Sequence, residues 1–325
     1  MKRILTALVL IPMVLLLVLK APAWLLCIAI SIIALLALRE YFQIVEAQGL
    51  QGLPRTTYAI VIINMFCFIL STYAEEITDL LWKIPFFQRN DIMTPRYLFS
   101  FAGFIVNYSP LLATMVFLLI AMRSVDIKNV LTSAGSTLLG FLYIYGSFRI
   151  LLAFILSPDG RFYSIFLFFV VWVGDIAAMY AGKTIGRHKM SPIISPNKTW
   201  EGAVASVLGS VLLGALILMK SAWIHSSIQQ LGINLLNYNS SRYSQPIEFP
   251  MVFVIFASLL INVSAQLGDL AESALKRGAD VKDSGSLLPG HGGILDRIDA
   301  LLFAIPTATV VFFIGEYFFR PLTIF

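Results

Sequence analysis

Long blocks of apolar residues separated by short polar connections dominate this chain of 325 residues. A bilayer core about 30 Å thick is crossed by roughly 20 apolar residues in a helix, so blocks of this length indicate membrane spans. The pattern predicts nine of them, over residues 4–19, 22–45, 57–74, 98–121, 132–156, 162–182, 201–220, 250–274 and 298–319. The predicted fold class is therefore an all-α integral membrane protein, a polytopic helical bundle with about nine transmembrane helices.

The fourth block is interrupted by the stretch Asn107-Tyr-Ser-Pro110. This block is compatible with one kinked helix or with a re-entrant piece followed by a short span, because irregular backbone at membrane depth needs surrounding protein. We divide the chain into an N-terminal region of about four spans, 1–130, and a C-terminal region of about five, 131–325. The second region contains the polar connections 183–200 and 275–297, and the long connection 221–249 receives no role.

Composition agrees with the block pattern. A mean hydropathy of +0.85 and 58% apolar residues lie outside the range of globular domains. The net charge of +5 could indicate a nucleic-acid partner. We predict none, because the basic residues lie in short loops between apolar blocks, where they set topology and meet anionic headgroups of the bilayer.

Lysine and arginine also predict an orientation. With the N-terminus inside the cell, the cytoplasmic connections hold the larger share of the 23 basic residues. This arrangement places 183–200 and 275–297 in the cytoplasm. The first block follows Lys2-Arg3 and continues into the second without a clear cleavage site, so we interpret it as a membrane helix rather than a signal peptide.

Charge is concentrated around the last connection. Asp269, Glu272, Ser273 and Lys276 are spaced to share one helix face, and Asp296 and Asp299 share a face of the next helix. The glycine-rich loop between them would let a ligand approach the backbone closely. The sequence predicts a helical hairpin with carboxylates on both arms.

Converging carboxylates at membrane depth repel each other unless a cation joins them. Oxygen ligands without a Cys or His cluster favour Mg²⁺, and the neighbouring basic residues suit phosphates. These basic residues are Lys276, Arg277, Lys282 and His291. We therefore predict a Mg²⁺–polyphosphate site at the membrane surface; the alternative is that the charges only cap helix ends and reach the headgroups.

Two further features are candidates for the same site. Ser195, Asn197, Lys198 and Thr199 precede the seventh span and form a candidate phosphate cradle, although an ordinary helix cap by Ser195 or Thr199 explains them equally well. Asp175 lies inside the sixth span, where an ionisable residue indicates function.

The segment 273–299 closely resembles the signature of phosphatidate cytidylyltransferases, also called CDP-diacylglycerol synthases. No departure from the family pattern is found at the positions that carry it: Ser273, Lys276, Arg277, Lys282, Asp283, Gly285, Pro289, His291, Gly292, Gly293, Asp296, Arg297 and Asp299. The stretch 195–202 and the spacing of Asp175, Tyr180 and Gly182 also look like family segments. Residues 1–130 are similar only in being several apolar spans.

The resemblance implies an inner-membrane enzyme that makes CDP-diacylglycerol and pyrophosphate from CTP and phosphatidic acid with Mg²⁺. It implies that 131–325 is the catalytic region and that Asp269 and Asp296 are metal ligands, with Asp299 and Asp175 as further candidates. The catalytic residues it implies are Asp269, Lys276, Arg277, Lys282, Asp283, His291, Asp296, Arg297 and Asp299. The substrate-binding residues it implies are Ser195, Asn197, Lys198, Thr199, Gly292 and Gly293.

Alternatives stay open. A related CTP-dependent enzyme could use another phosphorylated lipid alcohol, and a transporter could line a path with Asp175, Asp269 and Asp296. Transporters more often have interrupted spans in two similar halves, whereas this chain concentrates its charge at one site. A second cation and a homodimer are both compatible with the sequence.

Overall fold

The fold is that of a computed structural model, which describes residues 2–81, 95–230, 249–287 and 292–319. Its helices are α1 (Lys2–Lys20), α2 (Ala23–Ala47), α3 (Pro54–Thr72), α4 (Ala74–Leu81), α5 (Pro95–Ser124), α6 (Val130–Gly140), α7 (Ser147–Leu156), α8 (Gly160–Thr184), α9 (Trp200–Met219), α10 (Ser221–Gln229), α11 (Met251–Gly278) and α12 (Leu295–Phe319). A 3₁₀ turn, Ile127–Asn129, precedes α6, and a π-helical segment, Phe141–Gly146, follows it.

The all-α membrane fold is confirmed. Within the described ranges, eight helical segments are long and apolar enough to cross a membrane, counting Ile127–Leu156 as one. Helix α1 adds a shorter apolar stretch, Leu10–Lys20. The predicted number of nine spans is therefore approximate. Parts of the predicted connections 75–97 and 221–249 lie outside the described residues.

The interrupted fourth block is a single helix, α5, with Pro110 inside it. Proline has no N–H to donate to the carbonyl four residues earlier, which is that of Val106. The Ser109 hydroxyl donates to this carbonyl at 2.9 Å. The polar residues that seemed to break the span thus include the donor that compensates for the proline, and the re-entrant alternative is wrong.

The connection 183–200 has regular structure, whereas the sequence indicated only a polar loop. It contains an antiparallel hairpin of β1 (Lys189–Ser191) and β2 (Ser195–Thr199), in which Lys189 faces Thr199 and Ser191 faces Ser195. Strands this short, with Pro196 in one of them, show no alternation that a sequence could reveal.

Two compact units divide the chain. One comprises residues 22–146 and the other residues 1–21 and 147–325. In the first unit, Tyr41 donates from its hydroxyl to the Ser136 carbonyl at 2.8 Å, and its ring lies where a side chain at Gly140 would be. Tyr145 donates to Asn64 in the same unit. The predicted division at 130/131 stays a prediction.

The second unit is built around α8, α9 and α11, with α7 and α12 packed against them. One face of α9 carries small residues at every fourth position, and all four are buried: Gly202, Ser206, Ser210 and Gly214. Small side chains let helix backbones approach closely where apolar surface gives no net drive for helices to associate in lipid. This stripe brings α9 close to α8 and α11.

At one end of this unit, aromatic rings fill the space between α7, α8, α11 and α12. Tyr163 stacks on Phe312 with ring centroids 4.4 Å apart, and Phe249 stacks on Phe253 at 4.7 Å. Helix α12 contains Pro306, which leaves the Leu302 carbonyl without its helical donor. Ser147 of α7 donates to that carbonyl at 2.8 Å.

Gly174→Ala tests the close approach of α8 to its neighbours. A Cβ at Gly174 would lie 2.3 Å from Asn262 Nδ2 and 2.6 Å from Ser210 Oγ. We expect a loss of about 1–3 kcal/mol in unfolding free energy, measured by denaturation in detergent. Gly103→Ala is the matched control, because a Cβ there meets nothing within 4 Å. Equal stability of the two variants would contradict the packing argument.

Candidate active site

A cleft of about 490 Å³ opens where the C-terminal end of α8, the β-hairpin, the start of α9 and the second half of α11 meet. It lies at the end of this unit opposite the aromatic rings. Its lining contains two carboxylates, three lysines and several polar side chains: Asp175, Lys183, Lys189, Asn197, Lys198, Thr199, Ser206, Gln266 and Asp269. The candidate cradle, the intramembrane Asp175 and Asp269 of the last hairpin therefore belong to one cavity.

The hairpin is held against the start of α9 by the first residues of that helix. Thr199 is the N-cap, and its hydroxyl accepts the Gly202 N–H at 3.1 Å. The Glu201 carboxylate accepts the backbone N–H groups of Arg187 and His188 at 3.1 and 3.2 Å, and His188 Nδ1 lies 2.6 Å from it. The helix cap and the cradle are thus the same structure, since the cap fixes the strand that presents Lys198.

Lys198 links the β-hairpin to helix α11 through Asp269. Its Nζ lies 2.7 Å from Asp269 Oδ2. Both side chains line the cleft and are partly exposed, although the Nζ atom of Lys198 is itself buried. Ser273 Oγ donates to the other oxygen of Asp269 at 3.4 Å. Ser195 begins β2 but lies outside the lining of the cleft.

Lys276 is buried between two carboxylates. Its Nζ lies 2.5 Å from Glu272 Oε2 and 2.5 Å from Asp296 Oδ1. Glu272 has no exposed side-chain surface. A charge in such a position is stable only when its partners remain in place. Lys276 therefore fastens α11 to α12, and the catalytic role assigned to it from the sequence stays a prediction.

Asp296 also binds the last connection at two points. Its Oδ2 accepts the N–H of Ser284 at 3.0 Å and that of Gly293 at 2.8 Å. Gly292 adopts φ +77°, and a Cβ there would lie 2.6 Å from the same carboxylate, so glycine is required. This geometry gives Asp296 a structural role, and its assignment as a metal ligand stays a prediction.

Arg277 ties the last connection to the hairpin. Its Nε donates to the Ile194 carbonyl at 3.3 Å and its Nη1 to the Val281 carbonyl at 3.0 Å. The two polar connections therefore lie on the same side of the bundle. Lys282, Asp283 and Arg297 are exposed. His291 lies outside the described residues.

Asp299 completes the carboxylate group near the cleft. Its Oδ1 accepts the N–H of Ala300 at 2.8 Å, and it lies within electrostatic range of Asp175, Asp269 and Glu272. In the described part of the chain, no three Asp, Glu, His or Cys residues are close enough to hold a metal ion alone. A cation here would need oxygen atoms from a ligand to complete its shell.

Four polar lining residues and a buried partner were not singled out as site residues from the sequence. Gln266 and Ser206 line the cleft beside Lys183 and Lys189, and Asn262 connects Gln266 to Ser206 below it. The available signal was the spacing of Asn262, Gln266 and Asp269, which places polar groups one turn apart on one face of a membrane helix.

The cytidylyltransferase family profile matches residues 1–315. The chain belongs to the cytidylyltransferase family. The resemblance seen in the signature segment is thereby confirmed, while the roles assigned to single residues stay predictions.

Several relatives bear a more specific name. The chain is 36% identical over 198 residues to a phosphatidate cytidylyltransferase of Bacillus subtilis (strain 168), covering 60% of this chain and 65% of the relative. A phosphatidate cytidylyltransferase of Brucella suis biovar 1 (strain 1330) is 38% identical over 169 residues, 51% of each chain. The matched parts of the chain thus span 65% and 51% of the length of these two relatives.

Lys276→Met tests the buried ion pairs. The variant keeps an apolar stem of similar length and leaves Glu272 and Asp296 without their shared cation. We expect a loss of about 3–5 kcal/mol in unfolding free energy, the scale for breaking a buried pair by removing one partner. Lys128→Met, at an exposed position, is the control and should change stability by less than about 0.5 kcal/mol. A Lys276→Met variant as stable as this control would show that the cluster does not hold the helices together.

Proposed function

We propose that this protein transfers the cytidylyl group of CTP to phosphatidic acid, releasing pyrophosphate and forming CDP-diacylglycerol. The observation that carries the proposal is the Lys198–Asp269 pair, which brings the cradle and the last helical hairpin into one cleft at the end of a membrane bundle. Family membership and the printed names of the relatives support the same reaction.

The residues of the cleft suit this chemistry. A phosphate oxygen of phosphatidic acid forms a bond to the α-phosphorus of CTP, and the bond from that phosphorus to the oxygen bridging to the β-phosphate breaks. The electron pair leaves with pyrophosphate. Because the attacking oxygen is already an anion, no side chain has to remove a proton from it, and the reaction needs alignment and charge neutralisation.

Lysines supply part of that neutralisation. Lys183, Lys189 and Lys198 all line the cleft, and an ammonium group binds phosphate oxygen as a compact point charge. Lys198 is held by Asp269, so a phosphate entering the cleft meets a lysine whose position is already set. Asn197 and Thr199 lie in the same strand as Lys198 and line the same cleft.

The carboxylates fit Mg²⁺, with a phosphate ligand completing the shell. Asp269, Asp299 and Asp175 offer hard oxygen atoms and repel one another electrostatically, which a cation would relieve. Mg²⁺ bound there would withdraw charge from the phosphates during transfer. Asp269 would hold the ion on one side and orient Lys198 on the other. A second cation is compatible with the same group of acids.

The proposal includes a place in the cell. The positive-inside pattern supports a location in the cytoplasmic membrane with the hairpin and the last connection facing the cytoplasm. CTP would then enter from the water phase, and phosphatidic acid would arrive through the bilayer. The homodimer stays a prediction.

The deciding assay uses purified protein in detergent with CTP carrying a labelled α-phosphate. Labelled lipid product is expected with phosphatidic acid and Mg²⁺, and little or none after chelation. An isoprenoid phosphate offered in place of phosphatidic acid tests the alternative lipid substrate. Turnover of the isoprenoid phosphate without turnover of phosphatidic acid would show that the isoprenoid phosphate is the lipid substrate and that the proposed substrate is wrong.

Asp269→Asn should retain the fold and lose at least about 10²-fold in kcat, the scale for removing a group that stabilises transition-state charge. Asn keeps the size of the side chain and removes the charge that orients Lys198 and binds the cation. Asp126→Asn, at an exposed position in the other unit, is the control. Near-normal product formation by Asp269→Asn would exclude the metal-ligand role.

Lys198→Ala should raise the CTP concentration needed for half-maximal rate, because the lysine nearest Asp269 would no longer meet the phosphates. The effect should be larger for CTP than for phosphatidic acid. An unchanged CTP requirement in initial-rate measurements would show that the segment 195–199 is a helix cap and no more.

A further inference from the structure

A chain of hydrogen bonds below the cleft fixes the orientation of one side chain in its lining. The chain runs from α8 through α9 to α11 and consists of the Val170 carbonyl, Ser210, Asn262 and Gln266. Ser210 and Asn262 are almost completely buried. Polar groups in such a position keep partners with defined donor and acceptor roles.

The direction of the chain follows from its first member. The Ser210 hydroxyl donates to the Val170 carbonyl at 2.7 Å, so its oxygen can only accept from Asn262. Asn262 therefore turns its amide nitrogen toward Ser210, 2.8 Å away, and toward Ser206, 2.9 Å away. Gly174 makes room for that nitrogen, because a Cβ would lie 2.3 Å from it.

The amide oxygen of Asn262 then points along α11 toward the cleft. It accepts from Gln266 Nε2 at 2.6 Å, and the same nitrogen donates to the Ala203 carbonyl at 3.3 Å. Both N–H groups of Gln266 are used. Gln266 lines the cleft, so the polar atom it has left to offer there is its carbonyl oxygen.

We propose that Gln266 Oε1 is a specificity-determining acceptor that takes a hydrogen bond from the nucleoside part of the nucleotide substrate. This inference rests on the proposed function. At neutral pH the phosphates of both substrates are largely ionised and act mainly as hydrogen-bond acceptors, whereas the nucleoside carries neutral N–H and O–H donors. Its donors are the 4-amino group of cytosine and the ribose hydroxyls. A neutral, fixed acceptor one helical turn from Asp269 is therefore matched to the nucleoside and not to the phosphates.

Fixing the acceptor matters for selectivity. A glutamine side chain that rotates freely presents either its oxygen or its nitrogen to a ligand. It would therefore bind a ligand carbonyl as well as a ligand amine. The Ser210–Asn262 chain removes that freedom. A ligand with an acceptor at the same place would face the Gln266 oxygen and form no hydrogen bond with it. Sites built in this way reject analogues that lack the donor.

The experiment compares Gln266→Met with wild type in the CTP-plus-phosphatidic-acid assay. Methionine conserves the volume of glutamine and removes the acceptor together with the N–H groups that bind Asn262 and Ala203. The KM for CTP should rise about 3- to 10-fold, the range for one neutral hydrogen bond, with the KM for phosphatidic acid and the Mg²⁺ requirement unchanged. Leu267→Ala, the adjacent and exposed position, is the control and should keep wild-type values.

Three nucleotide analogues identify the donor and test the wild-type protein without any substitution. UTP lacks the 4-amino group, 2′-deoxy-CTP lacks the 2′-hydroxyl and 3′-deoxy-CTP lacks the 3′-hydroxyl. Wild type should use one of them with kcat/KM at least about 10-fold below that of CTP. The same preference should shrink to about 3-fold or less in Gln266→Met. This loss of preference is a readout that a merely structural role would not produce.

Other outcomes overturn the inference. Equal use of CTP and all three analogues by wild type would show that no nucleoside donor is read. An unchanged preference in Gln266→Met, or an increased Mg²⁺ requirement in place of an increased KM for CTP, would also reject it. If wild type forms no product from CTP and phosphatidic acid, the proposed function fails. Equilibrium binding of CTP then decides the inference, because unweakened binding by Gln266→Met would reject the role of Gln266.

Discussion

A polar group at membrane depth has to find its partner inside the protein, because lipid offers none. This constraint accounts for most of the specific contacts in the chain. At two helix prolines a serine hydroxyl replaces the missing donor: Ser109 for Pro110 and Ser147 for Pro306. Where a lysine is buried, two carboxylates surround it. In the candidate active site, a bound substrate would complete part of the same requirement.

The cleft depends on the way in which α9 approaches its neighbours. Its small-residue stripe lets the backbones of α8 and α11 come near, so that Asp175 and Asp269 border one cavity. The same close approach allows Ser210 and Asn262 to connect all three helices. Packing and chemistry therefore share residues, and a substitution on the stripe is expected to disturb both.

The sequence was sufficient to predict the class of fold and much of the site. Apolar block length predicted the spans to within a few residues, because bilayer thickness imposes that length. The carboxylates and lysines of the last hairpin were visible because charge is rare in so apolar a chain. Lys198, Asp175 and Asp269 were each proposed from local patterns, and the structure brings them to one cleft.

The remaining features depend on contacts between segments far apart in the chain. Nothing local in the sequence shows that Lys276 is buried between two acids, because Asp296 comes from the next helix. The β-hairpin is too short for a periodic pattern, and its stability comes from Glu201 in the following helix. In the sequence Gln266 resembles any polar residue on a helix, and only its hydrogen bonds through Asn262 to Ser210 show how its amide is oriented.

The link between Lys276 and Asp296 also bears on how the protein is made. Helices α11 and α12 leave the ribosome in succession as a hairpin, and each carries a charge that would be costly to insert into lipid by itself. Through Lys276 one acid from each arm shares a single cation, and Asp296 also binds the connecting loop. Joint insertion of the two helices would therefore cost less than insertion of either helix alone, and the contact that lowers this cost also holds the connection between them beside the cleft.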